Sequence, residues 1–324
     1  MSKRLPLIIY THGGGRLGNQ IIRWAHWIAW VRSHEGQIEV LNMAFWPYAD
    51  CFQVWDDDRG CAFPKPSRLA NLMVKSRAAV PTWVLSRVER RFQHLIHAAG
   101  YWCPGMHAIT LDDLGGESID LDDPVFFDRI ASRSVTTCSG WKIASWRLFA
   151  EHQTELRKYF QPTAGFALRA QEFITALRQR YDVLVGMFIR QTDYQIWAGG
   201  RFYFSTMDYV QWIRQLLDLH PGRRLAIVVA SDEWQDTRAF AGLPCFFATG
   251  SVNSQGYWFE SFVELSLCDL IISPPSTFGA AAAFVGAVPL WPVTMAGQSL
   301  ASDQILTNSM VDAARHPVFS LAVK

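Results

Sequence analysis

The chain has 324 residues, 50% hydrophobic and 18% charged, with a formal net charge of +1 at pH 7. That composition excludes a disordered chain and leaves room for two domains, each with its own core. The near-neutral balance excludes a general electrostatic affinity for nucleic acid or anionic membrane, so an anion site must be local and built from a few arginines.

Leu5 to Tyr10 reads as a first buried strand, and Ile21, Ile22, Ala25, Ile28 and Ala29 mark an amphipathic helix after it. A strand, a glycine turn and a helix together aim free backbone N–H groups at an anion. Gly13, Gly14 and Gly15 let a ligand come close to the backbone, and Arg16 and Asn19 add a cation and an amide there. Gly13-x-Gly15-x-x-Gly18 also matches the dinucleotide fingerprint, with Glu39 about 20 residues on where a ribose-binding acid belongs. Glu39, however, falls inside the expected strand Gln37–Leu41 rather than at its end. No Lys-Ser/Thr follows the last glycine, so the Walker pattern is absent. A turn that merely joins strand to helix is the plain alternative.

From Asp56 to Ser139 the pattern is less regular, with a helical stretch over Ser67–Ala99 interrupted by Pro81. Ser145–Arg180 reads as a polar helical connector. The second half then alternates. Strands are expected at Asp182–Ile189, Leu225–Ala230, Pro244–Ala248, Leu270–Ser273 and Val288–Trp291, and helices at Thr206–Leu219, Glu233–Ala241, Tyr257–Cys268 and Thr277–Val285. Such alternation predicts βαβ units on a parallel sheet. The expected fold is therefore α/β, with two Rossmann-like domains, 1–160 and 161–324, facing across a cleft. Ligands of open parallel sheets bind at the carboxyl ends of strands, and each candidate segment falls at such an end.

Arg190 closes the apolar run Val183–Ile189. It reads either as an ion-pair partner of Asp193 or as a planar fork for a phosphate, a task that suits arginine better than lysine. Ser231 and Asp232 follow the next strand, where capping the helix after them is the expected role. Pro274-Pro275-Ser276-Thr277-Phe278-Gly279 places two hydroxyls at a helix start, as a cap or a phosphate cradle.

The six cysteines form no C-x-x-C pair, and no apolar leader follows the basic residues at the start. The most apolar window, Phe278–Val293, is broken by Gly279, Gly286, Pro289 and Pro292. A cytoplasmic protein with no transmembrane segment is expected. The fourteen tryptophans read first as packing and second as platforms for sugar rings.

Four segments occur in order: Gly-Gly-Arg-Leu-Gly-Asn-Gln (14–20), Ile-Arg-Gln-Thr-Asp-Tyr (189–194), Ser-Asp-Glu (231–233) and Pro-Ser-Thr-Phe (275–278). The series resembles the fucosyltransferase superfamily, which spans the α1,2- and α1,6-enzymes and the protein O-fucosyltransferases. The run from Glu264 to Ser273 also resembles the helix-to-strand segment before the Ser-Thr-Phe motif of α1,2-type bacterial enzymes. Residues of about 45–140 have no counterpart in the resemblance. It implies a GT-B architecture, with GDP-fucose mainly on the C-terminal domain, an acceptor on the N-terminal one, and no metal or other cofactor. It further implies that Arg190 holds the β-phosphate and that Arg16 and Asn19, with Gly15 and Gly18 of the same loop, contact the donor. Ser276, Thr277 and Phe278 would contact phosphate and base, and Ser231 and Asp232 the nucleoside. The family's histidine before this arginine is Phe188 here, its second arginine is Gln191, and Gly279–Ala283 replaces its tryptophans.

Displacing a nucleotide from an anomeric carbon puts negative charge on the departing diphosphate, which a metal or a cage of arginine, N–H groups and hydroxyls must absorb. The chain supplies the second. Asp56-Asp57-Asp58 contains a D-x-D, the metal signature of the other common glycosyltransferase fold, but reads as a solvated charge run. Asp193 is the candidate base for the acceptor hydroxyl. The expected function is thus an inverting, metal-independent transferase moving a sugar from GDP-fucose or another nucleotide sugar to a glycan or lipid-linked saccharide. Two alternatives stand beside it: an NAD(P)- or FAD-dependent oxidoreductase using Gly13–Gly18, and an inactive nucleotide- or glycan-binding protein, suggested by Phe188 and Gln191.

Overall fold

The computed structural model describes residues 5–12, 14–35, 37–53, 61–62, 82–110, 119–131, 133–140 and 143–307. The chain divides into two compact units, Met1–Tyr159 and Phe160–Lys324.

In the first unit β1 (Leu7–His12), β2 (Glu39–Asn42), β3 (Cys61–Ala62), β4 (Met106–Thr110) and β6 (Val135–Ser139) form one parallel sheet in the order β3-β2-β1-β6-β4. A two-stranded pair joins β5 (Ile119–Asp120) to β7 (Ile143–Ala144). The helices are α1 (Leu17–Ser33), α2 (Thr82–Trp102), α3 (Pro124–Ala131) and α4 (Trp146–Leu156). α1 is buried along almost its whole length, and Trp24, Trp27 and Trp30 are at most 1% exposed. Trp30 meets Phe126 and Phe127 at ring distances of 5.9 Å. These three tryptophans are core, so the sugar-platform role is withdrawn for them.

In the second unit α5 (Ala164–Arg178) precedes β8 (Val183–Ile189), α6 (Thr206–Leu219), β9 (Leu225–Ser231), β10 (Cys245–Phe247), α7 (Trp258–Ser266), β11 (Leu270–Ser273), α8 (Thr277–Gly286) and β12 (Leu290–Pro292). The strands pair in parallel in the order β10-β9-β8-β11-β12. Numbered within the unit this is 3-2-1-4-5, the order of a doubly wound sheet. β8 and β9 are covered on both faces, which is why they read as unbroken apolar runs. A Cβ on Gly186 would come within 2.6 Å of Leu265 Cδ2, so glycine lets α7 lie close to β8.

Three expectations are corrected. The first strand runs Leu7–His12, two residues later than Leu5–Tyr10, and carries His12 at its end. The Ser145–Arg180 connector is two helices separated by a 3-10 turn, Arg157–Phe160, with Ser145 capping the first by accepting from Leu148 N. Glu233–Ala241 is not a helix; only a 3-10 turn forms there, Thr237–Phe240, capped by Asp236. Side-chain bonds to the backbone compete with helix formation in that segment. Ser231 Oγ accepts from Glu233 N and donates to Glu233 O, while Asn253 Oδ1 accepts from Gln235 N and Asn253 Nδ2 donates to Gln235 O. Ser231 and Asp232 are therefore not helix caps.

Candidate nucleotide site

The strand order of the second unit reverses between β8 and β11, and the chain emerging from their carboxyl ends is where ligands of such sheets bind. β8 delivers Arg190, whose Nη2 lies 2.5 Å from Asp193 Oδ1 and whose Nη1 lies 2.8 Å from Asp232 Oδ2. The guanidinium carbon sits 5.4 Å from the Tyr194 ring centroid, and the side chain is 12% exposed. Its Nε is buried with no hydrogen-bond partner among the described residues. The ion-pair reading of Arg190 thus holds, with Asp232 as a second carboxylate.

Asp232 also accepts from Gln191 N at 2.9 Å and from Thr192 Oγ1 at 2.6 Å. Gln191, standing where the resemblance expects an arginine, is 5% exposed and satisfied by neutral partners. Its Nε2 donates to Phe204 O at 2.8 Å, and its Oε1 accepts from Gln235 Nε2 at 2.7 Å. A guanidinium there would meet a carbonyl and an amide instead of an anion. Phe188 stacks on Phe278 at 4.8 Å, and Phe278 meets Phe262 edge-on at 5.4 Å. The missing histidine is replaced by an apolar aromatic cluster.

β11 delivers Pro274 and Pro275, then α8 with Ser276 as its N-cap, accepting from Phe278 N at 3.3 Å. Both readings of this segment share that position, because a capping hydroxyl and the first N–H groups of a helix lie together. Tyr194 donates its phenol hydrogen to Pro275 O, and burial pushes that phenol well above its ordinary range, so it stays protonated. Arg190, Asp193, Ser231 and Asp232 are therefore gathered on one side of the switch point, and Ser276, Thr277 and Phe278 on the other, with Tyr194 joining them. Sequence reading quoted Tyr194 but assigned it nothing; its signal was a large phenol directly after Arg190-Gln-Thr-Asp193.

A buried acidic pair lies behind the loop that follows β10. Thr249 Oγ1 is 2.5 Å from Glu264 Oε1 and 2.9 Å from Glu260 Oε2, and Thr249 N donates to Glu264 Oε2 at 2.9 Å. Glu260 also pairs with Arg169 Nε at 2.6 Å. Burial, with a smaller push from the charge of Glu260, raises the Glu264 carboxyl to about 7. The signal available in sequence was an acid inside the apolar run Phe259–Leu267.

Gly15, Arg16, Gly18 and Asn19 belong to the first unit, at the start of α1. Gly14 and Gly15 have φ of +67° and +73°, and a Cβ on Gly15 would lie 2.2 Å from Asn19 Nδ2 and 2.7 Å from Asn19 Cβ. Gln20 Nε2 donates to Gly14 O and fixes the loop. Gly18 is buried in the first turn, Asn19 is half-buried, and Arg16, at the N-cap position, is exposed without a side-chain cap bond. Gly15→Ala is expected to cost about 1–2 kcal/mol from the left-handed backbone alone, and more from the clash, read as a lower midpoint in urea denaturation. Glu39 is the first residue of β2 and pairs with Leu7, the first residue of β1. It lies at the amino end of the sheet, opposite the glycine turn, where no ribose hydroxyl of a bound dinucleotide would reach it. Asp56, Asp57 and Asp58 lie outside the described residues. Among the described residues no three His, Cys, Asp or Glu side chains converge as metal ligands, and no helix is long and apolar enough to cross a membrane.

No family model and no curated protein matches this sequence. Solved structures do match its fold. FUT1 of Arabidopsis thaliana in complex with GDP is 13% identical, covers 93% of this chain and 73% of its own, and has a TM-score of 0.54. POFUT1 in complex with GDP is 12% identical, with coverages of 92% and 100% and a TM-score of 0.54. NodZ alpha-1,6-fucosyltransferase soaked with GDP-fucose is 12% identical, with coverages of 94% and 99% and a TM-score of 0.52; NodZ is from Bradyrhizobium. The two parallel α/β units are thus the GT-B glycosyltransferase fold in the form found in fucosyltransferases. At this identity the likeness is one of fold.

Proposed function

We propose that this chain is an inverting, metal-independent glycosyltransferase that takes a nucleoside-diphosphate sugar, GDP-fucose first among them, on its second unit. The acceptor, a glycan or lipid-linked saccharide, belongs to the first unit. The observation that carries the reading is Arg190, a largely enclosed guanidinium at the switch point, held between Asp193 and Asp232 with a buried Nε that has no partner among the described residues. It adjoins a loop whose hydroxyls and helix start suit phosphate oxygens. The fold's neighbours named above are GDP or GDP-fucose complexes of fucosyltransferases, which supports the same ligand class. As the bond to the diphosphate breaks, Arg190, Ser276, Thr277 and the first amides of α8 would absorb the developing charge. Gly15, Arg16, Gly18 and Asn19 would contact the donor from the first unit. Phe278, Ser231 and Asp232 would stand near the nucleoside. Asp193, its carboxylate engaged by Arg190, serves here to position that arginine.

The test is thermal. A ligand at 100 times its Kd stabilises the folded state by about 2.7 kcal/mol, a rise in Tm of roughly 5–10 °C at this size. GDP should give it, ADP, UDP and NAD should not, and EDTA should leave it unchanged. Ser276→Ala with Thr277→Val should shrink it. A larger shift with NAD than with GDP would move the reading to an oxidoreductase, against which the position of Glu39 already counts. The neutral Gln191 network favours one second reading, a binder without transfer. GDP release from GDP-fucose separates the two, since a binder releases none.

A further inference from the structure

In the second unit, the loops that leave β8, β9 and β10 at the carboxyl edge are tied together by one buried amide. Gln235 is 1% exposed. Its Oε1 accepts from Thr206 Oγ1 at 2.7 Å, at the start of α6, and its Nε2 donates to Gln191 Oε1 at 2.7 Å and to Ser231 Oγ at 3.1 Å. Its backbone is held by Asn253, whose side-chain amide accepts from Gln235 N and donates to Gln235 O. Beside this residue stands Trp234, at 64% exposure. An indole on so firmly bonded a backbone offers a large apolar surface with little freedom left to lose on binding.

Trp234 differs from the other tryptophans of the second unit. Trp212 and Trp291 are at most 2% exposed, Trp197 stacks on Tyr194 at 4.8 Å, and Trp258 touches the rings of Tyr257 and Phe259. Among the described residues no ring or guanidinium lies against Trp234. Two more exposed apolar side chains each sit one residue from a partner of Gln235: Met207 beside Thr206, and Val252 beside Asn253.

The position of this surface indicates what meets it. Asp232, two residues before Trp234, bonds Arg190, where the proposed diphosphate is gripped. Neighbouring strands lie about 4.8 Å apart. A nucleoside attached to that phosphate therefore extends over the loops of β9 and β10 or, on the other side, over the chain after β12. That chain, residues 293–307, contains no aromatic residue. Residues 248–256 after β10 contain none either, and Tyr257 is stacked on Phe166 at 5.6 Å. The resemblance directs the base to Phe278, but here Phe188 stacks on that ring and Phe262 meets it edge-on. With Phe278 engaged in the apolar cluster, Trp234 is the most exposed ring on the β8–β10 side, ahead of Tyr203 at 39%.

We infer that Trp234 is the platform on which the base of the bound nucleotide stacks. The inference rests on the nucleotide-sugar reading above and adds what holds the end of the donor remote from the reacting carbon. Stacking engages the π-face that every base has, so Trp234 supplies affinity for the base rather than choice among bases.

Calorimetric titration of the full chain with GDP and with inorganic pyrophosphate tests it. Trp234→Ala should weaken GDP binding by about 5- to 150-fold, the range for a lost base–aromatic stack, and leave pyrophosphate binding unchanged. Trp234→Phe, which keeps a ring, should lose much less. Because the side chain is so exposed, both variants should melt like the unaltered protein. Unchanged GDP affinity in Trp234→Ala would overturn the assignment. So would an equal loss for pyrophosphate, which would mean that the loop acts through Asp232 and Arg190. The indole N–H resonance of Trp234, assigned by its absence in Trp234→Phe, gives a second readout in the unaltered protein. It should move upfield when GDP is added and stay in place with pyrophosphate; a resonance that ignores GDP overturns the inference. Failure of the donor reading is distinguishable: it shows as no GDP binding by the unaltered protein and takes this inference with it. GDP binding that Trp234→Ala leaves intact defeats this inference alone.

Discussion

Arg190→Ala is expected to abolish the GDP-dependent rise in Tm and to lower the Tm of the unliganded protein as well. The first effect follows from losing a planar, charged donor at the switch point, which Lys would replace poorly. The second follows from the two carboxylates. Asp232 is 15% exposed in its side chain, and without Arg190 it would keep only the bonds from Gln191 N and Thr192 Oγ1. Stranding one charge of a buried pair costs about 3–5 kcal/mol; Asp193, at 46% exposure, adds little because solvent screens it. The lower end of that range corresponds to a fall of roughly 6–12 °C. Circular-dichroism melts of Arg190→Ala and of Arg190→Ala with Asp232→Asn, each with and without GDP, separate the effects. The double variant should recover much of the stability and none of the GDP response. Recovery of the response would mean that Arg190 only neutralises Asp232.

Glu264→Gln is expected to raise Tm at pH 8 and to leave it nearly unchanged at pH 4. The carboxyl, ordinarily at 4.5, is raised to about 7 in the folded protein, chiefly by burial. Below 4.5 the acid is protonated in both folded and unfolded chains. Between 4.5 and 7 the folded chain keeps a proton that the unfolded chain has lost, so stability falls as pH rises and levels off above 7. The full fall is about 3 kcal/mol. Geometry agrees with the proton. The single Thr249 hydroxyl hydrogen cannot serve both Glu264 and Glu260, so one acid must donate in return. Gln at 264 reproduces the protonated form, its NH₂ donating to Thr249 Oγ1 and its carbonyl accepting from Thr249 N. Melting curves across pH 4–9 should show a flatter profile for the variant. Parallel profiles would mean that Glu264 is ionised throughout.

The second unit's sheet was legible because its central strands are covered on both faces and read as unbroken apolar runs between turn residues. Arg190 was legible as a charge at the end of such a run. Its partnership with Asp232, 42 residues away, was not, since only the pairing of β8 with β9 brings the two loops together. The Glu233–Ala241 helix failed because propensity favours it while Ser231, Asn253 and Gln235 bond the segment into an open turn. The protonation of Glu264 depends on Thr249 and Glu260 meeting in space. The glycine turn was visible, and so was its ambiguity; the register of Glu39 against Leu7 resolves it against a dinucleotide.

The bond from Tyr194 to Pro275 O has a consequence for how order spreads. The turn after β8 and the turn before α8 are each short and are far apart in sequence. A phenol that stays protonated, and is buried among both, makes their opening a single cooperative event. The entropy of ordering the two turns is thus lost once, largely in folding, and a ligand held at Arg190, as proposed above, would find Ser276 already in place.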